Sequence, residues 1–441
     1  MTQREAALTA AEFAGRKALV LGAGSSGRAS GRLLARLGAR VTVYDRNPAA
    51  LADLGFAAET LVAEKIPSFA GFDWIVQSPG VPVPAHARLL PEVDLAAAFL
   101  RAPLVCITGS NGKSTTTVLI AEMLRASGIR VALGGNLGTP LCALVDEPAD
   151  WVVAELSSFQ LEHARRVHAS VAVLLNLAPN HFDRHGSLAE YAAAKARLAD
   201  LQGPDATLVV NLDDDWARGV GERRRTGVLG ASLEGRAGAA ARLRDAHVEV
   251  ALAGTPWLRM ELSALSPACR RYPLNALTAT LAAASAGAAP DGVERTLRGF
   301  DGLPHRAQRV AVLRGVTYVN DSKATSPAAA IGSLAAESAP VVWLLGGVNK
   351  GIDMRSLAPS ARRTRTTIAF GKAGDEIAEA LRGTTEVVHV PHLADAVREA
   401  AARAQPGDVV LLAPACASFD EFRNYEERGE RFAALVRSLP C

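Results

Sequence analysis

The sequence predicts an α/β protein of three domains: a Rossmann-like first domain, a central P-loop-type domain with a mostly parallel sheet, and a C-terminal Rossmann-like α/β domain. Short apolar runs alternate with Ala- and Leu-rich stretches of helical period along all 441 residues, which is the pattern of parallel sheets. Glycine-rich turns follow two of these runs, at residues 22–27 and 109–112. At about 150 residues per domain, breaks in the pattern predict the domains 1–92, 93–302 and 303–441.

The predicted strands are apolar runs that end at turn residues. The first domain contains KALVLGAG, VTVYD and DWIVQSPG; the second contains PLVCITG, WVVAELS, VAVLLNL and ATLVVNLDD; the third contains VTYVNDS, VVWLLGG, TTIAFG and DVVLLAP. Turn residues and short β-like pieces within 222–265 predict a hairpin insertion.

The composition is that of an ordinary globular protein. A net charge of +3 with 21% charged residues does not indicate a nucleic-acid partner. No apolar stretch reaches the roughly 18 to 20 residues of a membrane span, and the N-terminus lacks the pattern of a secretory signal, so we expect a cytoplasmic protein. The five cysteines are scattered and indicate neither a disulfide framework nor a zinc site.

Lysine is rare in this chain, which uses arginine for most of its positive charge. Only seven of the 48 Lys and Arg residues are lysines. Four of the seven, Lys113, Lys195, Lys323 and Lys350, fall within the motifs described below. A compact amine that can lose its proton is therefore expected to matter at these positions.

The first glycine-rich turn has the features of a nucleotide-binding loop. Gly22, Gly24 and Gly27 follow a strand directly, and Asp45 ends the next strand. Glycines there let a diphosphate approach a helix N-terminus, and the acid can reach a ribose hydroxyl. Such a loop most often binds NAD, and the alternative is a tight turn that binds nothing. Another strand ends at Ser78–Gly80, at the same edge of the predicted sheet.

The second turn, VCITGSNGKSTT at residues 105–116, is typical of a phosphate loop. Backbone N–H groups at the start of the following helix can hold phosphate oxygens, Lys113 can neutralise them, and the Ser114 hydroxyl can reach a magnesium ion. The usual spacing has a glycine where this chain has Ile107.

Three further parts of the sequence contain candidate metal ligands. Glu155 ends a strand where an acidic magnesium ligand is expected, although a helix N-cap is an equal alternative. His181, Asp183 and His185 form an H-x-D-x-H pattern, for which a solvated polar loop is the alternative. Lys195 lies in a helical stretch and could be a surface lysine, or it could take up carbon dioxide as a carbamate and become an anionic ligand.

Together these motifs resemble the Mur ligases, the ATP-dependent amide-forming enzymes of peptidoglycan precursor synthesis. TGSNGKST is that family's form of the phosphate loop, so Ile107 supports the resemblance. Further matches are GGNLGTP, ELSSFQLE, NHFDRH, AAKARL, GLPHR, NDSKATS and LLGGVNKG, in the family's order. The end of the chain, LLAPACASFDEFRNYEERGERF, is similar to that of the D-glutamate-adding members. The resemblance implies that the first loop binds UDP and not NAD.

By position, the resemblance implies three substrate sites, two Mg²⁺ ions and a monomeric enzyme. UDP-N-acetylmuramoyl-L-alanine would contact Ser25, Ser26, Asp45, Gly80, Asn136, Ser157 and His181. ATP would contact Gly109, Ser110, Asn111, Gly112, Lys113, Ser114, Thr115, Asn275, Arg306 and Asp321. D-glutamate would contact Thr325, Lys350, Ser418 and Tyr425. The metal ligands would be Ser114 and Glu155 for one ion, and His181 and carbamylated Lys195 for the other. The catalytic residues would be Lys113, Glu155, His181, Lys195 and His305.

The sequence departs from the family pattern at two places. The family usually has His-Asn where this chain has Arg271 and Tyr272, which puts half of the adenine pocket in question while Asn275 is kept. A phenylalanine is usual at Tyr425. Three alternative functions stay open: a folate polyglutamate-forming ligase of the same superfamily, a nicotinamide dehydrogenase, and a nucleotide-binding protein without catalysis.

Overall fold

A computed structural model describes residues 8–83, 86, 88–179, 182–224 and 227–440. The chain forms two compact units, Met1–Phe300 and Asp301–Cys441. In the described part of the chain, the first unit contains two sheets and the second unit contains one. Most strand pairs are parallel, and helices alternate with strands along the chain. The predicted fold class is therefore confirmed, while the predicted boundaries of three domains stay a prediction.

The first sheet is parallel, with strand order β3-β2-β1-β4-β5. The order reverses between β1 and β4, which creates the crevice where ligands bind in open α/β sheets. Its elements are β1 (Lys17–Leu21), α1 (Ser25–Arg36), β2 (Arg40–Asp45), β3 (Glu59–Val62), β4 (Trp74–Gln77), β5 (Leu89–Pro91) and α2 (Glu92–Phe99).

The second sheet has nine strands in the order β14-β13-β12-β11-β10-β9-β6-β8-β7. Among the strands that the structure describes in this sheet, only the β12–β13 and β13–β14 pairs are antiparallel, which confirms the hairpin predicted within 222–265. The strands are β6 (Leu104–Thr108), β7 (Val131–Gly135), β8 (Trp151–Glu155), β9 (Val171–Leu174), β10 (Thr207–Asn211), β11 (Val228–Ser232), β12 (Ala239–Arg244), β13 (His247–Leu252) and β14 (Thr255–Glu261). The helices are α3 (Lys113–Ala126), α4 (Ser158–Leu161), α5 (Phe182–His185), α6 (Leu188–Asp200), α7 (Asp215–Glu222), α8 (Pro267–Arg271), α9 (Pro273–Ser285) and α10 (Pro290–Gly299).

The second unit contains a six-stranded sheet in the order β15-β16-β20-β17-β18-β19. Within residues 301–440, which the structure describes, only the β15–β16 pair of this sheet is antiparallel. Its strands are β15 (Gln308–Leu313), β16 (Val316–Asn320), β17 (Val341–Gly346), β18 (Thr364–Phe370), β19 (Val387–Val390) and β20 (Val409–Ala415). Its helices are α11 (Pro327–Ala335), α12 (Ala358–Ala361), α13 (Gly374–Ala380), α14 (Leu393–Arg403) and α15 (Tyr425–Arg437).

The strands with continuous apolar runs lie at the centre of the sheets. Every residue of β6, β17 and β20 is buried, as expected for strands that helices cover on both faces. The carboxyl ends of these parallel strands share one edge in each sheet, and the turn residues of the predicted motifs follow them. Among the described residues, no helix is both long and apolar enough to cross a bilayer.

A buried carboxyl group, Glu92, joins the start of α2 to the segment that follows β7. Its side chain is 1% exposed, and its Oε1 accepts a hydrogen bond of 2.8 Å from the N–H of Cys142. Within the described residues its Oε2 has no hydrogen-bond partner. Burial raises the pKa of Glu92 to about 7, and the bonds from Cys142 oppose this shift.

Because of this raised pKa, we expect the free energy of unfolding to fall between pH 5 and pH 8. Glu92→Gln should abolish this pH dependence. The folded state binds the proton more tightly than the unfolded state, so the contribution of Glu92 is present below pH 4.5 and is lost as pH rises through about 7. The difference is on the order of 2 to 3 kcal/mol. Urea unfolding of wild type and Glu92→Gln at both pH values measures it, with the exposed Glu147→Gln as control. Equal pH dependence in all three proteins would contradict the prediction.

Candidate functional site

The predicted phosphate loop connects the end of β6 to the start of α3. Gly109 and Gly112 have φ of 152° and 82°, conformations that side chains rarely adopt. A Cβ at Gly112 would also lie 2.6 Å from Oδ1 of Asn275 in α9. The loop is held from outside: the N–H of Asn111 donates to Oδ1 of Asn176 at 2.8 Å, and Ser110 Oγ accepts from the N–H of Ala178 at 2.8 Å. The loop therefore has a fixed shape.

Two lysines meet at this loop. Lys113 Nζ donates to the carbonyl oxygens of Gly109 and Ser110, each at 3.0 Å. Lys195 Nζ, from α6, donates to the same Gly109 oxygen at 2.8 Å. It also lies 4.5 Å from the centroid of the Tyr191 ring. The amines of Lys113 and Lys195 thus meet at one carbonyl oxygen of the loop.

Lys195 is 1% exposed, so the alternative interpretation as a surface lysine is wrong. Burial, followed by the positive charge of Lys113, lowers the pKa of Lys195 to about 7, while Glu155 opposes the shift. A substantial neutral fraction near pH 7 follows. A neutral amine is the form that reacts with carbon dioxide.

Glu155, at the end of β8, is 3% exposed and bonds to two predicted site residues. Ser114 Oγ donates to Glu155 Oε2 at 2.5 Å, and Asn136 Nδ2 donates to Glu155 Oε1 at 2.8 Å. The N-cap of α4 is Ser157, whose side chain accepts from the N–H of Gln160, so the interpretation of Glu155 as a helix cap is wrong.

The oxygen atoms of Ser114 and Glu155 fit a magnesium ion, which prefers hard ligands and keeps several waters or phosphate oxygens. The pair fits one ion. Among the described residues, no group of three or more His, Cys, Asp and Glu side chains is placed to hold a metal by itself. A site completed by phosphate oxygens agrees with this finding.

Of the three side chains in the H-x-D-x-H pattern, the structure describes that of His185. His181 lies outside the described residues, as does the side chain of Asp183. His185 is buried, with Nε2 2.9 Å from Ser158 Oγ and its ring 5.5 Å from that of Phe159 and 5.4 Å from that of Tyr191. Burial lowers the pKa of His185. The interpretation of His185 as part of a solvated loop is therefore wrong, because its ring packs in an aromatic layer beside α6.

The first sheet brings its predicted loops together at the reversal of strand order. A Cβ at Gly27 would lie 1.8 Å from the Gly22 oxygen, and Ser78 Oγ donates to that oxygen at 3.3 Å. Asp45 Oδ2 accepts from the N–H of Ala23 at 2.8 Å. Asp45 thus holds the first loop in shape. Ser25 and Ser26 begin α1, and Gly80 is exposed beyond β4.

In the second unit, another group of predicted site residues lies at the carboxyl edge of the sheet. Asp321, Ser418 and Lys350 follow the neighbouring strands β16, β20 and β17. Ser418 is 2% exposed, whereas Lys350 is exposed. Thr325 and Arg306 are half-buried on turns of the same unit.

His305 has a buried ring beside Tyr425. The two ring centroids are 6.4 Å apart in an edge-to-face contact, and burial lowers the pKa of His305. Lys323 Nζ lies 5.1 Å from the Tyr425 ring centroid. Lys323, in the motif NDSKATS, had no predicted role. The structure places it beside Tyr425, one of the predicted site residues of this unit.

Arg428 is a buried residue that the sequence analysis missed. Its guanidinium donates to Ser322 Oγ and to the carbonyl oxygens of Ser322, Gly346 and Cys416, at 2.9 to 3.2 Å. Burial lowers its pKa to about 10. The charged run EERGER gives no local sign that distinguishes Arg428 from exposed arginines. It ties together the ends of β16, β17 and β20, from which the predicted residues project.

Comparison with known proteins extends over nearly the whole chain. Residues 107–283 match the Mur ligase middle domain, and residues 305–416 match the Mur ligase, glutamate ligase domain. A protein of Anaeromyxobacter dehalogenans named UDP-N-acetylmuramoylalanine--D-glutamate ligase is 41% identical, over 97% of this chain and 99% of that protein. A protein of the same name from Pelotomaculum thermopropionicum is 38% identical, with the same two coverages.

Solved structures share the fold. The pseudomurein peptide ligase type C of Methanothermus fervidus has a TM-score of 0.59 at 16% identity, over 97% of this chain and 100% of that one. The MurF ligase of Thermotoga maritima, solved in complex with ADP, has a TM-score of 0.60 at 19% identity, over 84% and 90%. The fold and the sequence relatives define this protein as a ligase. The chain belongs to the Mur ligase family.

Proposed function

We propose that this ligase adds D-glutamate to UDP-N-acetylmuramoyl-L-alanine, with ATP converted to ADP and phosphate. The observation that carries the proposal is the grouping of Lys113, Lys195, Ser114 and Glu155 around one phosphate loop. Relatives that cover 97% of the chain and bear the name of this activity support the choice of substrates. A dehydrogenase function would give this grouping no role.

The reaction proceeds in two transfers. A carboxylate oxygen of the alanyl group attacks the γ-phosphorus of ATP, the bond to the ADP oxygen breaks, and an acyl phosphate forms. The amine of D-glutamate then attacks the acyl carbon through a tetrahedral intermediate, the bond to the phosphate oxygen breaks, and the amine loses a proton. The first transfer is needed because a free carboxylate has only oxide as a leaving group.

The phosphate loop supplies the binding for the first transfer. Backbone N–H groups at the start of α3 and the Lys113 ammonium hold the β- and γ-phosphates, in a loop that Gly109, Ser110 and Asn111 shape. Ser114 and Glu155 would hold one Mg²⁺, whose charge would reduce the repulsion between the carboxylate and the phosphate. Under this proposal Asn275, Arg306 and Asp321 also contact ATP, and His305 lies beside the reacting groups.

The second Mg²⁺ requires a modification of Lys195 under this proposal. A neutral amine adds to carbon dioxide, releases a proton and becomes a carbamate, whose oxygens are hard ligands. The nearly complete burial of Lys195 and its lowered pKa favour the neutral amine. His181 would be the protein's other ligand to this ion.

The remaining predicted residues bind the two organic substrates. The crevice of the first sheet holds the UDP moiety, through Ser25, Ser26, Asp45 and Gly80, while Asn136, Ser157 and His181 contact the muramoyl-alanyl part. Thr325, Lys350, Ser418 and Tyr425 contact D-glutamate, whose two carboxylates need hydrogen-bond donors and positive charge. We further propose a cytoplasmic, monomeric enzyme, since ATP and UDP-linked substrates are found in that compartment.

Release of phosphate from ATP tests the proposal. We expect release only when UDP-N-acetylmuramoyl-L-alanine and D-glutamate are both present, with L-glutamate inactive. A folate substrate in place of the UDP-sugar is the matched control for the sister ligase. Phosphate release that depends on folate, or turnover with L-glutamate at the same rate, would refute the assignment.

A further inference from the structure

His305 has a backbone conformation that is uncommon for a residue with a side chain. Its φ is 60°, in the left-handed region that residues other than glycine rarely adopt. Two hydrogen bonds hold it there: its N–H donates to Gln308 Oε1 at 3.2 Å, and its carbonyl oxygen accepts from the N–H of Lys323 at 3.1 Å. Residues held in such conformations are concentrated at functional sites, so the contacts of the His305 ring are worth following.

The Nδ1 atom of His305 faces the side-chain amide of Asn320, a fully buried residue at the end of β16. Nδ1 lies 3.1 Å from Asn320 Nδ2. The other contacts of the amide set its orientation: Oδ1 accepts from the N–H of Ser322 at 3.1 Å, and Nδ2 donates to the carbonyl oxygen of Gly429 at 3.0 Å. A further contact of Nδ2, with Gln308 Oε1, is longer, at 3.4 Å. An amide nitrogen can only donate, so Nδ1 of His305 is an acceptor.

Gly429 lets helix α15 approach the same ring nitrogen. A Cβ at Gly429 would lie 2.1 Å from His305 Nδ1, which is closer than any real contact. The Gly429 carbonyl oxygen also takes one hydrogen of the Asn320 amide. The Nδ1 side of the ring is therefore enclosed by α15 and Asn320, and Nε2 is the ring nitrogen left for a ligand.

We propose that Asn320 is a positioning residue that keeps the proton of His305 on Nε2, so that His305 donates a hydrogen bond to an anionic oxygen of a substrate. A neutral imidazole carries one N–H, and the partner of one nitrogen decides which nitrogen has it. The ring lies against Tyr425 and near Lys323, in the group predicted to bind D-glutamate. The inference deepens the proposed function, and its kinetic part rests on that function.

The charged groups around His305 act on its ring from two elements. Burial lowers the pKa of His305 and Lys323 adds to the shift, whereas Glu430 and Glu426 of α15 oppose it. Protonation of Nδ1 would also set one N–H against the amide hydrogens of Asn320, which further favours the neutral ring. In wild type Nε2 carries a proton in the neutral ring and in the charged ring, so titration of His305 does not remove the donor.

NMR spectroscopy of the protein with nitrogen-15-labelled histidine tests the tautomer directly. Two-bond proton–nitrogen correlations distinguish a ring nitrogen that carries a proton from one that does not, and the signals lost in His305→Gln identify this residue. We expect a neutral wild-type ring at neutral pH with its proton on Nε2. A proton on Nδ1 of the neutral ring would overturn the proposal, and this result needs no variant of Asn320 to fold.

Asn320→Asp replaces the amide donor by an acceptor of nearly the same shape. The carboxylate takes the proton of Nδ1 and raises the pKa of His305, so in this variant only the charged ring donates from Nε2. We expect the ratio of variant to wild-type kcat/KM for D-glutamate to fall about 10²-fold as pH rises through that pKa. A purely structural role of Asn320 would make the ratio independent of pH, and that result would refute the positioning role.

Gly429→Ala tests the enclosure of Nδ1 by α15. The added methyl group meets His305 Nδ1, so we expect the ring to be displaced and kcat/KM for D-glutamate to fall. The matched control is Gly332→Ala in α11, where a Cβ meets no atom within 4 Å, and it should behave as wild type. Thermal melting checks that both variants are folded. Wild-type kinetics of Gly429→Ala would contradict the role of the His305 ring.

The two kinds of measurement distinguish failure of this inference from failure of the proposed reaction. If the proton lies on Nε2 and D-glutamate triggers no phosphate release, the tautomer stands and the D-glutamate assignment falls. If D-glutamate triggers release and the proton of the neutral ring lies on Nδ1, the positioning role of Asn320 alone falls.

Discussion

Lys113→Ala is expected to lower the rate of phosphate release by about 10³-fold. The ammonium of Lys113 lies against the Gly109 and Ser110 carbonyl oxygens, at the start of α3, where it can turn toward a phosphate. Its loss leaves the charge that develops on the transferred phosphoryl group without its positive partner. Rates are measured with saturating UDP-N-acetylmuramoyl-L-alanine and D-glutamate, and ATP affinity is measured by calorimetry.

The matched control for Lys113→Ala is Lys65→Ala, which removes an exposed lysine from a loop of the first sheet. We expect this control to keep wild-type activity. Lys113→Arg tests geometry, since it keeps the charge on a longer planar group. Wild-type rates in Lys113→Ala would exclude Lys113 from phosphoryl transfer and would leave the loop without its main cation.

Lys195→Ala is expected to lower activity by about 10²- to 10³-fold, with partial recovery when formate or acetate is added. The truncation leaves space beside Gly109 that a short carboxylate can enter. There its oxygens can replace those of the proposed carbamate. The recovery should saturate with carboxylate concentration, and the assay is again phosphate release with all three substrates.

Lys195→Arg tests whether the loss of activity comes from the missing carbamate. Arginine stays charged and forms no carbamate under these conditions, and its side chain fills the space, so we expect low activity without recovery by carboxylates. Thermal melting checks that both variants are folded. Full activity of Lys195→Ala would refute the carbamate, and recovery by chloride at equal ionic strength would show that charge alone, and not a carboxylate, is needed.

The strands with strong apolar runs were predictable from the sequence, and the weak ones were not. All eleven predicted runs contain strands of the structure. The strands β3, β7, β15 and β19 were missed. All four lie at sheet edges, and none is a continuous run of buried apolar residues. The strand β5 has only three residues and ends in proline. Such short or edge strands form because a neighbouring strand offers hydrogen-bonding groups, which no local pattern encodes.

Some residues of the candidate site were also predictable from the sequence, and others were not. Gly109, Gly112, Lys113 and Ser114 lie within six residues of sequence, so the motif alone predicts their arrangement. Lys195 is 86 residues from Gly109, and its helix gives no sign of which face is buried. His185 looked like a residue of a polar loop, yet it packs between aromatic rings. Packing of α6 against α4 and against β6 decides these two environments.

The sequence by itself determined the fold class, the phosphate loop and the family, because these depend on periodicity and on motifs of adjacent residues. Tertiary structure alone decided that Lys195 is buried at the Gly109 carbonyl and that Ser114 and Asn136 both bond Glu155. Burial, and the change in pKa that follows from it, is a property of everything packed around a side chain. It is fixed only when distant segments meet.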